Sequence, residues 1–365
     1  MRFESPDPFI IAEAGVNHNG DETTAMRLIE AAKASGADAV KFQTFDPAEI
    51  AAPSAPNAAY QAAAGDADGQ LAMLQRLTLP REAIRRLWSH AERVGIPILS
   101  TPFDVESARF LVGELGMPRI KVGSGELTNL PLIVDLARLG PPLMLSTGMA
   151  DMEEVSRALD AVAFGVLADG RARPDMAALR EAGASAEAQN VRARTVVFQC
   201  TTQYPAPIDQ ANLRVLESFR AEGVIPGYSD HTEGVLAAQA ATALGARVIE
   251  KHLTLSRDMP GPDHRASMEP PAFAELVRGV KAVRAALGDG VKRPAPSELE
   301  NRSVARRTLV AAHDIEAGRP LDAASVAVRR AGSGPAPADL WRLQGRPARR
   351  AYRAGEIIDR EELER

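Results

Sequence analysis

The sequence predicts a (β/α)8 barrel followed by a small β-rich domain. Eight short apolar runs alternate with helical segments along about 290 residues, a length that suits eight parallel strands closed into a barrel. Beyond Leu287 the composition changes to a linker containing Gly and Pro, and then to short apolar runs among turn residues. We therefore assign residues 1–287 to the barrel, 288–300 to the linker and 301–365 to the small domain.

Each predicted strand is a short apolar run, and each is followed by a segment with helical periodicity. Pro80 and Pro271 are compatible with the first turn of a helix. The strands are expected at 9–12, 39–42, 97–99, 119–122, 143–145, 195–200, 224–228 and 247–249. The helices are expected at 23–35, 80–94, 105–115, 132–139, 152–163, 213–221, 235–244 and 271–287.

The remaining segments complete the predicted architecture. Residues 48–69 form a loop rich in Ala, Pro, Gly and Asp, long enough for a lid or a hairpin. Residues 168–194 are an insertion that we expect to form a helical excursion on the surface. In the small domain, strands are expected at 308–312, 326–328 and 356–358. An open, doubly wound sheet is the alternative fold, but the segment after the first strand, GVNHNG, lacks the spacing of a dinucleotide-binding turn.

Composition and charge exclude several classes of function. The net charge of −5 argues against broad binding to nucleic acid, which requires a basic face. No apolar run approaches the roughly 18 residues of a membrane span, and residues 1–8 lack the apolar core of a signal peptide. The single cysteine, Cys200, excludes an internal disulfide. We expect a cytoplasmic protein that binds neither nucleic acid nor membranes.

Two histidines follow consecutive strands of the predicted barrel. His231 comes after the apolar run 224–228 and His252 after the run 247–249, with a helical segment between the two runs. A strand–helix–strand unit makes its two strands parallel, so both histidines lie at the same edge of the sheet. Two imidazoles at that edge can share one divalent metal ion. The alternative is that each histidine is only a polar cap on a buried strand.

The other strand ends carry acids, lysines and hydroxyl groups, at the edge where (β/α)8 barrels place their chemistry. The lysines and hydroxyls suit a phosphate or a carboxylate. Alternatively, the lysines form structural ion pairs with Glu13 or Glu250, and Thr101 and Ser146 cap the following helices. A lysine that forms a Schiff base is a further, weaker alternative. The residues of this edge are Glu13, Lys41, Thr101, Lys121, Ser124 and Ser146.

Two further polar residues near this edge have alternative interpretations. Lys251 precedes His252 in the strand and therefore points to the opposite face, so we interpret it as structural. His18 lies in a turn-rich loop, where it is either a turn partner or a substrate contact.

Seven motifs in this order resemble those of the sialic acid synthase family. They are IAEAGVNHNG at 11–20, VKFQ at 40–43, STPFD at 100–104, KVGSGE at 121–126, STGM at 146–149, YSDHT at 228–232 and GPDH at 261–264. The resemblance covers nearly the whole chain. It implies a (β/α)8 barrel with a C-terminal antifreeze-like (SAF) domain. It also implies a reaction that condenses phosphoenolpyruvate with a 2-acetamido hexose, releases phosphate and gives a nine-carbon 2-keto acid.

The resemblance also implies roles for individual residues. His231 and His252 correspond to the ligands of a divalent metal, Mn²⁺ or Mg²⁺, and Glu13, Lys41 and Lys121 to catalytic residues. The implied phosphoenolpyruvate contacts are Lys41, Thr101, Lys121, Ser124, Ser146 and Ser229. The implied acceptor contacts are Gln43, Tyr204, Asp263 and Arg330, the last reaching over from the partner in a domain-swapped homodimer.

Two positions depart from the family pattern. Ala331 stands where the family has proline after the arginine that corresponds to Arg330, and Thr202 stands where it often has asparagine. The first change removes a rigid turn, and the second removes an amide that would contact the acceptor.

The acceptor is the open question at this stage. N-acetylmannosamine would give N-acetylneuraminate, and this is the activity that we expect. A 2,4-diacetamido-trideoxy hexose, which would give legionaminate or pseudaminate, is the alternative. Two other hypotheses are a keto-acid phosphate synthase with a phosphorylated sugar acceptor, and a sugar- or ice-binding protein without catalytic activity.

Overall fold

The computed structural model describes residues 7–56, 69–170 and 172–364. The described residues form two compact units that divide between Gly288 and Asp289. Within these ranges, no helix combines the length and the apolar character needed to cross a bilayer.

The first unit alternates strands and helices throughout. Its strands are β1 (Phe9–Gly15), β2 (Ala39–Thr44), β3 (Ile98–Pro102), β4 (Ile120–Val122), β5 (Leu143–Ser146), β6 (Val196–Gln199), β7 (Ile225–Asp230) and β8 (Val248–His252). Its helices are α1 (Glu22–Ala34), α2 (Pro47–Ile50), α3 (Gln70–Leu77), α4 (Arg81–Val94), α5 (Val105–Arg109), α6 (Leu130–Arg138), α7 (Met152–Leu167), α8 (Met176–Ala184), α9 (Ala188–Arg192), α10 (Val215–Ala221), α11 (Leu236–Ala243) and α12 (Pro270–Leu287).

The strands form one parallel sheet in the order β3-β2-β1-β8-β7-β6-β5-β4, and β3 also lies beside β4. The strand interiors are almost entirely apolar and buried, as expected for parallel strands covered by helices on one face and packed against each other on the other. The prediction of a (β/α)8 barrel is confirmed.

Several strands continue beyond the apolar run from which they were predicted. β1 ends at Gly15, and β8 ends at His252. Glu13 pairs with Lys41 of β2 on one side and with His252 of β8 on the other. The polar ends remain strands because their backbones are hydrogen-bonded on both sides, whatever the side chains are.

Three segments differ from the prediction. The helix expected at 105–115 is α5 followed by a π-helical turn, Phe110–Glu114. The predicted lid or hairpin at 48–69 lies partly outside the described residues, but α2 is at its start and α3 follows it. The 168–194 insertion contains α8 and α9, which pack on α7 and bury Leu179. This insertion is therefore part of the helical layer and not only a surface excursion.

The second unit is small and has its own apolar core. Strand β9 (Thr308–Ala311) pairs with β11 (Val326–Arg329), and β10 (Pro320–Leu321) pairs with β12 (Arg346–Pro347), all antiparallel. Its helices are α13 (Leu299–Ala305) and α14 (Leu340–Leu343). The strand expected at 356–358 is wrong in length, because only an isolated bridge joins Ile357 to Val310.

Candidate active site

The carboxyl ends of the barrel strands surround a cavity of about 340 Å³. Every site residue that was predicted within the barrel lines this cavity: Glu13, Lys41, Gln43, Thr101, Lys121, Ser124, Ser146, Tyr204, Ser229, His231, His252 and Asp263. Arg330 belongs to the second unit, where it is exposed directly after β11. The structure thus brings together residues that are up to 250 positions apart in the sequence, as shown by Glu13 and Asp263.

Four buried charges alternate in sign across the floor of the cavity. Lys41 Nζ lies 2.5 Å from Glu13 Oε2 and 3.7 Å from Glu250 Oε2. Lys121 Nζ lies 3.1 Å from Glu250 Oε1. The ion pairs expected under the alternative interpretation of the lysines are therefore present, and they stand inside the cavity, where a ligand can compete for them.

The two acids of this cluster are in different electrostatic states. Burial raises the pKa of Glu13 to about 7, although Lys41 opposes the shift. Burial acts in the same direction on Glu250, but Lys121 and Lys41 outweigh it and hold the pKa of that carboxyl below its usual value. Environments that push the pKa values of two nearby acids apart are typical of active sites with one acid–base group and one permanent charge.

Glu250 was predicted only as an ion-pair partner, yet it lines the cavity and connects both lysines. Its Oε1 also accepts a hydrogen bond from Ser229 Oγ at 3.0 Å. The sequence carries a signal for this position, because Glu250 is two residues before His252 on one strand and so shares its face.

The hydroxyl groups at the strand ends line the cavity and form hydrogen bonds there. Lys41 Nζ donates to Thr101 Oγ1 at 3.0 Å, and Ser124 Oγ accepts from the Gly148 backbone at 3.1 Å. The suggestion that Thr101 and Ser146 cap helices is wrong. The caps of α5 and α7 are instead Asp104 and Asp151, whose carboxylates accept from the first helical turn.

Lys121 rests on an aromatic ring. Its Nζ lies 4.9 Å from the centroid of Phe198, a distance that favours a cation–π interaction. Gly227 pairs with Phe198 across β6 and β7, and a Cβ added to this glycine would stand 2.7 Å from the ring. The ring therefore occupies the space that a side chain at Gly227 would need.

The two predicted metal ligands are neighbours. The ring centroids of His231 and His252 are 5.5 Å apart, and burial lowers the pKa of both, which favours the neutral imidazoles that bind metals. His231 Nδ1 lies 2.7 Å from the Thr201 carbonyl, so this nitrogen is the donor and Nε2 keeps its lone pair. His252 Nδ1 is buried without a hydrogen-bond partner among the described residues.

This pair fits a divalent metal as two of its ligands. Within the described ranges, no cluster of three or more His, Cys, Asp or Glu side chains has the geometry of a metal site. Among the described residues, a metal bound here would have these two histidines as ligands, and water or substrate could fill its remaining coordination positions.

His18 is not part of the cavity lining. It is buried, and its Nδ1 accepts a hydrogen bond from the Gly20 backbone at 3.0 Å. Burial lowers its pKa to about 4. Of the two interpretations, the structure favours a turn partner.

The part of the cavity lining that was not predicted is mostly apolar, although it also includes Gln70 of α3. We define the apolar wall as Val16, Phe45, Ile50, Met73, Leu74 and Phe103, all of which line the cavity. Two of these residues belong to α3, a helix that the sequence did not reveal because its apolar stripe spans only two turns.

Comparison with known proteins identifies the family. A model of the NeuB family matches residues 28–292, and a model of the SAF domain matches residues 306–364. The chain belongs to the NeuB family. The N,N'-diacetyllegionaminic acid synthases of Campylobacter jejuni and Legionella pneumophila are 40% and 38% identical to it, covering 96% and 94% of this chain and 98% and 91% of theirs.

Two further relatives share a lower identity with this chain. The N-acetylneuraminate-9-phosphate synthase of Mus musculus is 32% identical over 93% of this chain and 88% of its own length. The structure of the sialic acid synthetase of Leptospira borgpetersenii superposes with a TM-score of 0.64 at 27% identity, covering 81% of this chain and 91% of that chain. The NeuB chain described here is a transferase that forms a carbon–carbon bond by condensing phosphoenolpyruvate with a sugar. The hypothesis of a binding protein without catalytic activity is therefore wrong.

Proposed function

We propose that this protein is an N,N'-diacetyllegionaminic acid synthase. It condenses phosphoenolpyruvate with a 2,4-diacetamido-trideoxy hexose and water, and it releases phosphate. The observation that carries this proposal is the identity of 40% and 38% to two such synthases over nearly the whole of each chain, against 32% to an N-acetylneuraminate-9-phosphate synthase. It replaces N-acetylmannosamine, the acceptor expected from the motifs alone, which remains the second candidate.

The charges of the cavity argue against a phosphorylated acceptor. Such an acceptor needs a second anion site beside the one for phosphoenolpyruvate. Among the described residues that line the cavity, Lys41 and Lys121 are the only lysines, and arginine is absent. Both lysines are used by phosphoenolpyruvate in this proposal, together with the hydroxyls of Thr101, Ser124, Ser146 and Ser229.

Carbon–carbon bond formation joins carbon 3 of phosphoenolpyruvate to the aldehyde carbon of the open-chain acceptor. Water then adds to carbon 2, and phosphate leaves as its bond to carbon 2 breaks. Glu13 is the group that we assign to take the proton from this water, because its raised pKa of about 7 matches that task. Lys41 and Lys121 stabilise the negative charge of the carboxylate and phosphate groups inside a buried site.

His231 and His252 would hold the divalent metal, which we propose to be Mn²⁺ or Mg²⁺. When bound, the metal supplies a Lewis acid next to the aldehyde oxygen. Gln43, Tyr204 and Asp263 are assigned to the acceptor. Arg330 is assigned to the acceptor of the partner subunit in a homodimer, a role supported by its exposure at the end of β11.

The test of the reaction is phosphate release from phosphoenolpyruvate and Mn²⁺ with the two acceptors in parallel. We expect release with the 2,4-diacetamido-trideoxy hexose and much slower release with N-acetylmannosamine. Release with N-acetylmannosamine alone would contradict the proposed acceptor and leave the reaction class in place.

The test of the metal site is a histidine substitution read out by binding. We expect His252→Ala to lose Mn²⁺ binding in titration calorimetry and metal-dependent turnover, while its circular dichroism spectrum stays that of the unsubstituted protein. His90→Ala is the control, because His90 lies on α4 beside Glu30 and away from the cavity lining. Undiminished Mn²⁺ binding by His252→Ala would overturn the assignment.

A further inference from the structure

The cavity has two unlike halves, and the reaction assigned above uses only one of them. The charged cluster lies on strands β1, β2, β4 and β8, and in the histidine pair His252 ends β8 while His231 directly follows β7. The other half is the apolar wall, in which Val16, Phe45 and Met73 are buried and Ile50, Leu74 and Phe103 are partly exposed to the cavity.

The apolar wall is held in place by packing and not only by its position next to the cavity. Phe45 and Phe103 meet edge to face with centroids 6.0 Å apart. The loop that follows Val16 packs closely against α3 at Gly20. This glycine has a φ of +75°, and a Cβ added to it would collide with the Arg76 carbonyl. Side chains anchored in this way present a fixed apolar surface to a ligand.

Such a surface discriminates between sugar substituents by their need for hydrogen bonds. A hydroxyl group placed against it loses its water and gains no partner, whereas a methyl group gains the favourable free energy of apolar burial. Acetamido groups carry an N–H and a carbonyl that require polar partners. In a 2,4-diacetamido-trideoxy hexose, carbon 6 is a methyl group and is the substituent that carries no polar atom.

We propose that the apolar wall is the specificity surface for the acceptor, and that it binds the carbon-6 methyl group. The inference rests on the proposed function and deepens it, because it assigns the choice of a 6-deoxy acceptor to named residues. The aldehyde end of the open-chain acceptor lies toward the histidine pair, and carbon 6, at the far end of the chain, lies against Ile50 and Leu74. A hydroxyl on carbon 6 placed against the six side chains of the wall would find no hydrogen-bonding group among them.

The experiment compares two acceptors that differ only at carbon 6. They are the 2,4-diacetamido-2,4,6-trideoxy hexose and the same sugar with its 6-hydroxyl restored. With the unsubstituted protein we expect kcat/KM to favour the 6-deoxy sugar by about 100-fold, the usual limit for rejection of an added hydroxyl by an apolar pocket. Equal kcat/KM values for the two sugars would overturn the inference and leave the proposed function standing.

Substitutions then assign the preference to the wall. Leu74→Asn is expected to reduce the preference for the 6-deoxy sugar by about tenfold, while the matched control Leu74→Met keeps it. Leu74 is partly exposed, so its replacement is compatible with folding. The KM for phosphoenolpyruvate should not change. An equal loss of kcat/KM for both sugars would show that the wall supports the fold alone.

Substitutions of Ile50 test the role of the wall independently. Ile50→Thr and Ile50→Val have nearly the same shape and differ by a hydroxyl in place of a methyl group. Only the threonine variant should shift the preference toward the 6-hydroxy sugar, and identical preferences in both variants would contradict the proposal. Turnover of N-acetylmannosamine without either diacetamido sugar would instead overturn the proposed function, and the wall with it.

Discussion

Asp230 and Asp263 are two buried aspartates that the fold treats differently. Asp230 accepts hydrogen bonds from the backbone and the hydroxyl of Thr232, both at 2.8 Å, from Lys251 at 2.9 Å and from Tyr228 at 3.3 Å. In the described part of the chain, no residue donates a hydrogen bond to the carboxylate of Asp263, and burial raises its pKa to about 6. The carboxylate of Asp230 is therefore surrounded by protein donors, whereas that of Asp263 has none among the described residues.

The difference follows from the position of each residue. Asp230 is the last residue of β7 and pairs with Lys251 of β8, on the face opposite to the histidines. Asp263 lies in the segment after β8 and lines the cavity. A buried carboxylate without donors destabilises the folded state when it is charged, which agrees with the raised pKa of Asp263. The two aspartates thus differ in their number of protein donors, and we expect this difference to separate their effects on stability and on acceptor binding.

The largest expected effect is the loss of the cation beside Asp230. Lys251→Met leaves that carboxylate buried without its charge partner, so we expect the free energy of unfolding to fall by about 3–5 kcal/mol. Urea denaturation measures the change. The control is Lys281→Met, an exposed lysine of α12, which should leave the stability nearly unchanged. A loss no greater than that of the control would contradict the structural role of the Asp230–Lys251 pair.

The second effect is a gain in the free energy of unfolding, and it depends on pH. Because the pKa of Asp263 is raised from 3.8 to about 6, its contribution to stability is full below 3.8 and is lost as the pH rises through 6. Asp263→Asn removes this dependence. Relative to the unsubstituted protein, the variant should therefore gain about 3 kcal/mol of unfolding free energy between the acidic and the alkaline side of this window. The activity of the variant, in contrast, should be lower than that of the unsubstituted protein.

The check is denaturation of both proteins across this pH window, together with the KM for the acceptor on the alkaline side. We expect Asp263→Asn to raise that KM by about 10- to 100-fold, the value of a hydrogen bond to a charged group. A stability difference between the two proteins that does not depend on pH would show that Asp263 has a partner in solution.

The smallest effect concerns a single donor. Thr232→Val removes the hydroxyl that donates to Asp230 and retains the backbone donor, so a loss of about 1.5–3 kcal/mol is expected. Thr242→Val is the matched control, because the Thr242 hydroxyl is equally buried but donates to the neutral carbonyl of Ala238. The control should lose only about 0.5–1.5 kcal/mol. Equal losses would show that the charge of Asp230 adds nothing to its hydrogen bonds.

The fold and the polar half of the cavity were accessible from the sequence. Parallel strands have a fixed direction, so the residues after each apolar run necessarily meet at one edge, and strand direction alone is enough to place His231 beside His252. The same logic placed Thr101 and Ser146 at this edge, and only the alternative that they cap the following helices was wrong. The cap of a helix depends on where the loop turns into the helix, and Asp104 and Asp151 fill that role a few residues later.

The apolar half of the cavity was not accessible in this way. Helix α3 has only eight residues, and an apolar pattern of this length is equally compatible with a loop. Glu250 was visible in the sequence, but its pairing with both lysines depends on the diameter of the barrel. Contacts across the barrel and short segments packed on its rim are set by tertiary structure, which periodicity within one element does not reveal.

The close approach of Phe198 to Gly227 couples the space available at residue 227 to the position of a buried positive charge. The ring that fills the space beside this glycine also contacts the ammonium group of Lys121. Lys121 is on β4, three strands away from Gly227 on β7. A methyl group introduced at residue 227 would push the ring, and the ring would displace the positive charge of Lys121, to which we assign the binding of phosphoenolpyruvate. Gly227 therefore influences the position of the Lys121 charge although it does not line the cavity itself.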